Sequence, residues 1–230
     1  MKIRAIRYQD ECEEKVKKIV NRSNSRPTGK YPSWKMGRMM QWETVGHLDA
    51  FRLLDADSQI TAYQERPMEI EYEVKGLIRV ERPDLLVLNG IQKELWSIKK
   101  VAEISGSNHG SEVAKLTAAL AGYGFLKKVV IVESLRQEPR RRNLITLLGL
   151  GRNCWVSPIE RERVRLLFSK RGGSIKWGDI SSSGIEPFWK SIVCRLVLEG
   201  AIHFDLTSPW ERSTPFHWHG GRLNNVKESI

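Results

Sequence analysis

The sequence predicts a mixed α/β fold, a mixed β-sheet flanked by helices, followed by a small helical unit with a winged-helix pattern. Three observations predict it. Helical and strand periodicities succeed one another in an α-β-β-β-α-β order over residues 40–132, which suits a mixed sheet with helices on its faces. From Glu138 onward short helical stretches replace them and end in a hairpin-like strand. The 230 residues suffice for one domain of ordinary size and a smaller one: residues 1–136, with a core at about 25–133, and residues 137–230.

Taken in order, residues 8–21 mix Glu13 and Glu14 with Lys15, Lys17 and Lys18 around Val16, Ile19 and Val20, which reads as a short solvated helix. Residues 22–38 are rich in Ser, Pro and Gly and set Arg26, Lys30, Lys35 and Arg38 among Tyr31 and Trp34. As a loop, such a segment suits contacts to phosphate and sugar. A helix is expected over residues 40–54, where Glu43, His47, Ala50 and Leu54 form one stripe, polar at its N-terminal end. Strands follow at 60–64, 68–74 and 77–88, the last ending in Leu85-Leu86-Val87-Leu88. Lys75-Gly76 and Asn89-Gly90 read as hairpin turns, which makes residues 93–99 a strand antiparallel to that of Asp84. A polar break at 105–110 opens a helix over 111–125, the crossover to a buried strand at 129–132.

In the second unit, helices are expected at 144–150, 158–169 and 187–198, a small element at 175–180 and a strand over 200–206. From Thr207 onward Pro, Ser, Trp and His dominate, and a loose tail is expected. His217-Trp218-His219 could bind a metal, but a floppy tail is the preferred reading. The Gly149-Leu-Gly151 and Gly122-Tyr-Gly124 steps lack the strand and following helix of a dinucleotide site.

The formal charge is +11, and the 38 basic residues recur along the whole chain. Such a balance favours a polyanionic partner, DNA or RNA, because each neutralised phosphate releases counterions. Cys12, Cys154 and Cys194 are odd in number and widely spaced, without zinc-ligand spacing, which implies a reducing cytoplasm. No signal peptide and no run of about 18 apolar residues is present, so a soluble cytoplasmic protein without a membrane partner is expected.

The order helix acid, strand Asp, strand Lys outlines a metal-dependent nuclease site. Hydrolysis of a phosphodiester needs a divalent cation to neutralise developing charge and to acidify the attacking water, carboxylates to hold it, and often a Lys to orient the water. Asp84, just after Pro83, is the candidate oxygen ligand. Alternation puts Leu95, Ser97 and Lys99 on one face of the next strand and Trp96, Ile98 and Lys100 on the other. Lys99 is therefore the candidate lysine, with Ser97 offering an oxygen two residues before it. Were Lys100 the active lysine, Ile98 would hold the ligand position with only a backbone carbonyl to give.

Residues 25–39 (Ser-Arg-Pro-Thr-Gly-Lys-Tyr-Pro-Ser-Trp-Lys-Met-Gly-Arg-Met), Trp42-Glu43-Thr44, Phe51-Arg52-Leu53-Leu54, Tyr63-Gln64-Glu65-Arg66-Pro67, Arg82-Pro83-Asp84-Leu85-Leu86-Val87 and Lys93-Glu94-Leu95-Trp96-Ser97-Ile98-Lys99 together resemble the TnsA endonuclease of heteromeric transposases. The resemblance covers residues 25–100, and the second unit agrees more loosely. It implies a restriction-endonuclease-like Pro-Asp…(Asp/Glu)-x-Lys fold and Mg²⁺, or Mn²⁺ in its place, as cofactor. It further implies endonuclease action at the 5′ ends of a transposon during DNA recombination, with a TnsB-like DDE transposase and a TnsC-like AAA+ ATPase as partners. Asp84 is then the metal ligand and Lys99 the water-orienting residue, with Glu43 or His47 completing the shell and Ser97 offering an oxygen, while Arg26, Lys30, Lys35 and Arg38 of the basic segment remain the candidate DNA contacts. The chain departs from the family pattern at two expected acids, now His47 and Ser97. Histidine is a poor Mg²⁺ ligand. Either Glu43 replaces the missing acid, or this copy binds DNA and assembles with its partners without cutting.

Overall fold

The computed structural model describes residues 1–9, 27–105, 110–182 and 188–219. Arg26 and nearly all of the helix expected over 8–21 lie outside them. The fold is mixed α/β with several sheets. It divides into two compact units, Met1–Leu54 with Gln59–Gln137, and Asp55–Ser58 with Glu138–Ile230.

The first unit runs β1 (Lys2–Tyr8), β2 (Gly29–Ser33), β3 (Arg38–Trp42), α1 (Val45–Ala56), β4 (Ile60–Glu65), β5 (Met68–Val74), β6 (Leu77–Glu81), β7 (Leu85–Asn89), β8 (Gln92–Lys99), α2 (Val101–Ser105), α3 (Gly110–Ala121), β9 (Phe125–Ile131) and α4 (Val132–Leu135). A four-stranded sheet has the order β4-β7-β8-β9, antiparallel except for the parallel β8–β9 pair. The crossover through α3 supplies that parallel step. A second sheet, β1-β5-β6, and a two-stranded ribbon, β2-β3, complete the unit.

The Lys75-Gly76 turn forms where expected, and the second forms one residue later, at Gly90-Ile91, with Asn89 paired to Gln92 as the last rung. Lys75 and Gly76 both adopt positive φ, 50° and 78°, the backbone that a tight two-residue turn demands. Three expectations are corrected. Residues 77–88 are two strands in two different sheets, because Pro83 cannot donate to a ladder and the chain leaves the sheet at Arg82-Pro83. The expected basic loop at 22–38 is, over its described part, the β2 strand and the turn into β3, with Tyr31 buried against the core. Strand 129–132 is β9, an edge strand ending at Ile131, on which Leu126 and Val129 are exposed.

Two cores flank the four-stranded sheet. On one face Ala50, Phe51 and Leu54 of α1 meet Leu85, Val87, Trp96 and Ile98, with Tyr31 and Tyr63 closing around Phe51. On the other, Leu95 packs with Leu116 and Leu120 of α3 and with Ile70 and Tyr72 of β5. Strand β8 thus sends Trp96 and Ile98 toward α1, and Leu95 to the opposite side.

The second unit runs α5 (Arg140–Gly151), α6 (Pro158–Lys170), β10 (Ser174–Lys176), α7 (Trp177–Ser182), α8 (Trp189–Leu198), β11 (Ile202–His203) and β12 (Pro215–Trp218). Ser157 and Glu160 cap α6 reciprocally in a capping box, behind a proline at the helix start. Helix α8 is buried at Trp189, Ile192, Val193, Cys194, Leu196, Val197 and Leu198. Burial pushes the Cys194 thiol far above its ordinary value, so it stays neutral. Helix α5 approaches α8 where a Cβ on Gly151 would come within 2.8 Å of the Cys194 carbonyl carbon, so only glycine allows this contact.

The expected loose tail is corrected as far as His219. Strand β12 is the central strand of a β10-β12-β11 sheet, and its alternation sends Phe216 into an aromatic cluster with Phe204, Trp177 and Trp210. His217 pairs in register with His203 on β11. Burial, and then the neighbouring His217 and His219, hold His203 below the ordinary imidazole range.

Phe51→Ala is expected to lower the unfolding free energy by about 3–5 kcal/mol, the usual range for an emptied aromatic site. Urea titration followed by circular dichroism measures it, and a loss below about 1 kcal/mol would mean that the site collapses without cost.

Candidate functional site

The site begins at the N-terminus of α1. Thr44 caps it, its hydroxyl accepting the His47 N–H at 3.3 Å and its carbonyl accepting the Leu48 N–H at 3.3 Å. Glu43 therefore stands before the helix, not on it, and the expected four-residue stripe starts at His47. The His47 ring folds back, so that Nδ1 accepts the Glu43 backbone N–H at 3.4 Å. A ring nitrogen that accepts carries no proton, which places the proton of the neutral imidazole on Nε2. That nitrogen lies 3.2 Å from Asp84 Oδ1 and donates to it.

Asp84 is held from every side. Its N–H donates to the Trp96 carbonyl at 2.9 Å, and its own carbonyl accepts from the Arg66 N–H at 2.9 Å. Its second carboxylate oxygen, Oδ2, accepts the Ile98 N–H at 2.6 Å. Both oxygens thus have protein donors. Arg66, in the left-handed backbone region at φ 47°, pairs its guanidinium with Glu43. Burial holds Arg66 below its ordinary value, and the charge of Asp84 opposes that shift. Glu65 accepts both guanidinium nitrogens of Arg38, at 2.8 and 2.6 Å, and the Gln41 N–H at 3.3 Å.

Glu43, His47, Glu65, Arg66 and Asp84 line one cleft of about 20 Å³, room for a single water. Three of the residues expected in the metal shell therefore meet here. The fourth does not. Ser97 shares the Leu95 face of β8, away from α1, where its hydroxyl donates to Glu81 at 3.2 Å and lies 3.3 Å from Lys127 Nζ. Lys127, almost wholly buried, forms an ion pair with Glu81. Lys99 is exposed at the end of β8, and alternation assigns it to the Ser97 face. On the face of Asp84 the neighbouring β8 side chain is Ile98, which packs against the start of α1 at Gly46.

The residues present do not fit Mg²⁺. That cation takes oxygen ligands in an octahedral shell and keeps several waters. Each Asp84 oxygen already accepts a hydrogen bond, Glu43 is paired with Arg66, and His47 turns an N–H instead of a lone pair toward Asp84. Among the described residues no three His, Cys, Asp or Glu side chains stand as a metal-binding group. The Asp84 carboxylate links the first turn of α1 to β8 through two hydrogen bonds.

Of the expected DNA contacts, Lys30 is exposed on β2. Lys35 donates to the Leu54 carbonyl at 2.7 Å and lies over the Trp34 ring, while Arg38 is bound to Glu65. Arg66, Glu65, Glu81 and Lys127 were not anticipated as members of either cluster. Arg66 lies in the Tyr63-Gln64-Glu65-Arg66-Pro67 stretch, but nothing in the sequence pairs it with Glu43. Lys127 comes beside Ser97 only through the parallel β8–β9 register, in which Leu95 faces Lys127.

No protein-family model matches the chain, and no curated protein matches it. Among the described residues no helix is long and apolar enough to cross a membrane.

Two outcomes check this geometry. A long-range proton–nitrogen NMR spectrum should show His47 as the Nε2–H tautomer; an Nδ1–H tautomer would break the chain from Glu43 to Asp84. Asp84→Ala should cost about 1–3 kcal/mol in urea unfolding, because the Ile98 N–H loses its acceptor in a half-buried position.

Proposed function

We propose that this chain is a TnsA-like, nuclease-fold subunit of a transposition complex that binds DNA and assembles with partner proteins without itself cutting. The observation that carries the reading is the state of Asp84: both carboxylate oxygens are held by donors of the same chain. A metal-centred nuclease needs that carboxylate turned to a cation, with further acids beside it. Here the neighbouring positions are His47, Ile98 and an arginine-paired Glu43.

The α1 helix, the mixed β4-β7-β8-β9 sheet and the Pro83-Asp84 entry to β7 support a restriction-endonuclease-like reading of the first unit. In the second unit the order α6, β10, α7, α8, β11, β12 and the β10-β12-β11 sheet support a winged-helix reading. In that architecture the third helix ordinarily enters the major groove. Its counterpart α8 is mostly buried and packs on α5, its Lys190 lies over Trp177, and its Arg195 is bound to Glu199 and the Arg152 carbonyl. Base readout by that helix is thus disfavoured, and DNA attraction falls to the dispersed basic surface expected from a charge of +11.

The test is calorimetry with Mg²⁺, together with nicking of supercoiled DNA in Mg²⁺ or Mn²⁺, for wild type and Asp84→Asn. The expected result is no Asp84-dependent Mg²⁺ binding and no nicking, with salt-sensitive DNA binding equal in both proteins. Saturable Mg²⁺ binding or nicking that disappears in Asp84→Asn would overturn the reading in favour of an active endonuclease.

A further inference from the structure

Strand β12 reads Pro215-Phe216-His217-Trp218, and His219 extends its ladder by donating its N–H to the Ala201 carbonyl at 2.8 Å. Period-2 alternation then fixes which side chains share a face. Phe216 is fully buried and Trp218 packs against Phe168, so both point inward. His217 and His219 point outward. Cross-strand register sets His203 directly opposite His217, on that same outer face.

The three imidazoles are close together. The His203 and His217 ring centroids lie 5.1 Å apart with planes 24° from parallel, and the His203 and His219 centroids lie 5.4 Å apart, edge to face. His203 and His219 are exposed and His217 is half-buried, so a solute can reach all three. No carboxylate is hydrogen-bonded to any of them among the described pairs. Five histidines occur in the whole chain, and three of them meet on this one patch.

We propose that His203, His217 and His219 form a binding site for a borderline divalent transition metal of the Zn²⁺ or Cu²⁺ type. Imidazole nitrogen suits these ions and does not suit Mg²⁺ or Ca²⁺. A pair at i, i+2 on one strand plus the cross-strand neighbour supplies three donors from a rigid ladder, leaving open positions for water. As the rings stand, no three donors are already in ligand geometry. Nearly parallel rings send their nitrogens past each other. Turning the exposed His203 and His219 imidazoles between staggered χ1 wells and about a broad χ2, toward the half-buried His217, takes picoseconds to nanoseconds and leaves the ladder untouched. A bound ion would tie β11 to β12 and so close the loop between them. The site is independent of the Asp84 centre and of whether that centre cuts DNA.

The experiment is calorimetric titration of the full chain, free of any polyhistidine tag, with ZnCl₂ and with CuCl₂, and electron paramagnetic resonance of the Cu²⁺ form. One equivalent should bind, with nitrogen hyperfine structure in the Cu²⁺ spectrum. Each of His203→Ala, His217→Ala and His219→Ala should weaken binding by about tenfold or more, while His47→Gln leaves it unchanged. These outward-facing substitutions leave the aromatic core in place, and an unchanged circular dichroism melt of the metal-free variants confirms that they fold. Absence of saturable binding, or an affinity that survives in His203→Ala, would overturn the proposal.

Discussion

The Asp84 carboxylate holds two elements at once. Through Oδ1 it receives the His47 Nε2 proton from the first turn of α1, and through Oδ2 it receives the Ile98 N–H from β8. The first turn of any helix carries backbone donors without internal partners, and the end of a sheet ladder does the same. The Thr44 hydroxyl takes the His47 N–H of the first turn, and Asp84 takes the Ile98 N–H of β8 while its other oxygen holds the His47 ring. Thr44 then sets the phase of α1 so that Ala50, Phe51 and Leu54 fall on the sheet, and the apolar packing of that face follows from the anchoring. Arg66, turned into a left-handed conformation by its place between β4 and β5, brings a compensating positive charge to the same corner.

Which face of β8 meets this corner decides the character of the site. Alternation along Leu95-Trp96-Ser97-Ile98-Lys99 was legible in the sequence, and so were the turns and the antiparallel partner. The face assignment was not, because it depends on which helix covers which side. Trp96 and Ile98 pack toward α1, while Leu95 goes to α3 and β5 and Ser97 meets Glu81. Ser97 then finds Lys127, which no local pattern could bring to it. The β1 strand and the β2-β3 ribbon escaped notice for a related reason. The alternation of β1 breaks between Ile3 and Ala5, and β2 carries a glycine and a proline, so neither gives a clean period-2 signal, and tertiary pairing with β5 or with each other overrides weak propensity. The C-terminal strand was the reverse case: Phe216, His217, Trp218 and His219 alternate plainly, but a high content of Pro, Ser and Trp masked it as a tail.

Formal charge overstates what is available to a partner. Arg38, Arg66, Lys127, Arg161 and Arg195 are each paired with a carboxylate of the same chain. Pairs at the surface contribute little stability, typically ~0–1 kcal/mol, yet they determine which cations remain to meet phosphate. The Lys127 pair with Glu81 is different in kind, since removing Glu81 would leave the buried Lys127 charge with little water. Basic residues that looked like a DNA-facing loop from sequence are thus divided between internal structure and surface.

The same logic separates a metal centre from a structural one. Two or three carboxylates crowded together repel, and a cation is what makes their ionised forms compatible. A site built that way is incomplete without its metal. At Asp84 the crowding has been removed: His47 contributes a neutral N–H, Ile98 an amide N–H, and Glu43 has its own arginine. A carboxylate with two donors and a guanidinium nearby is already compensated, and a divalent ion entering the cleft would meet the positive potential of Arg66 and find Glu43 and Glu65 paired with arginines. His47 and Ser97 at the expected acid positions and the two hydrogen bonds on Asp84 therefore act in one direction: the carboxylate that the motifs outline as a cation ligand links the start of α1 to β8.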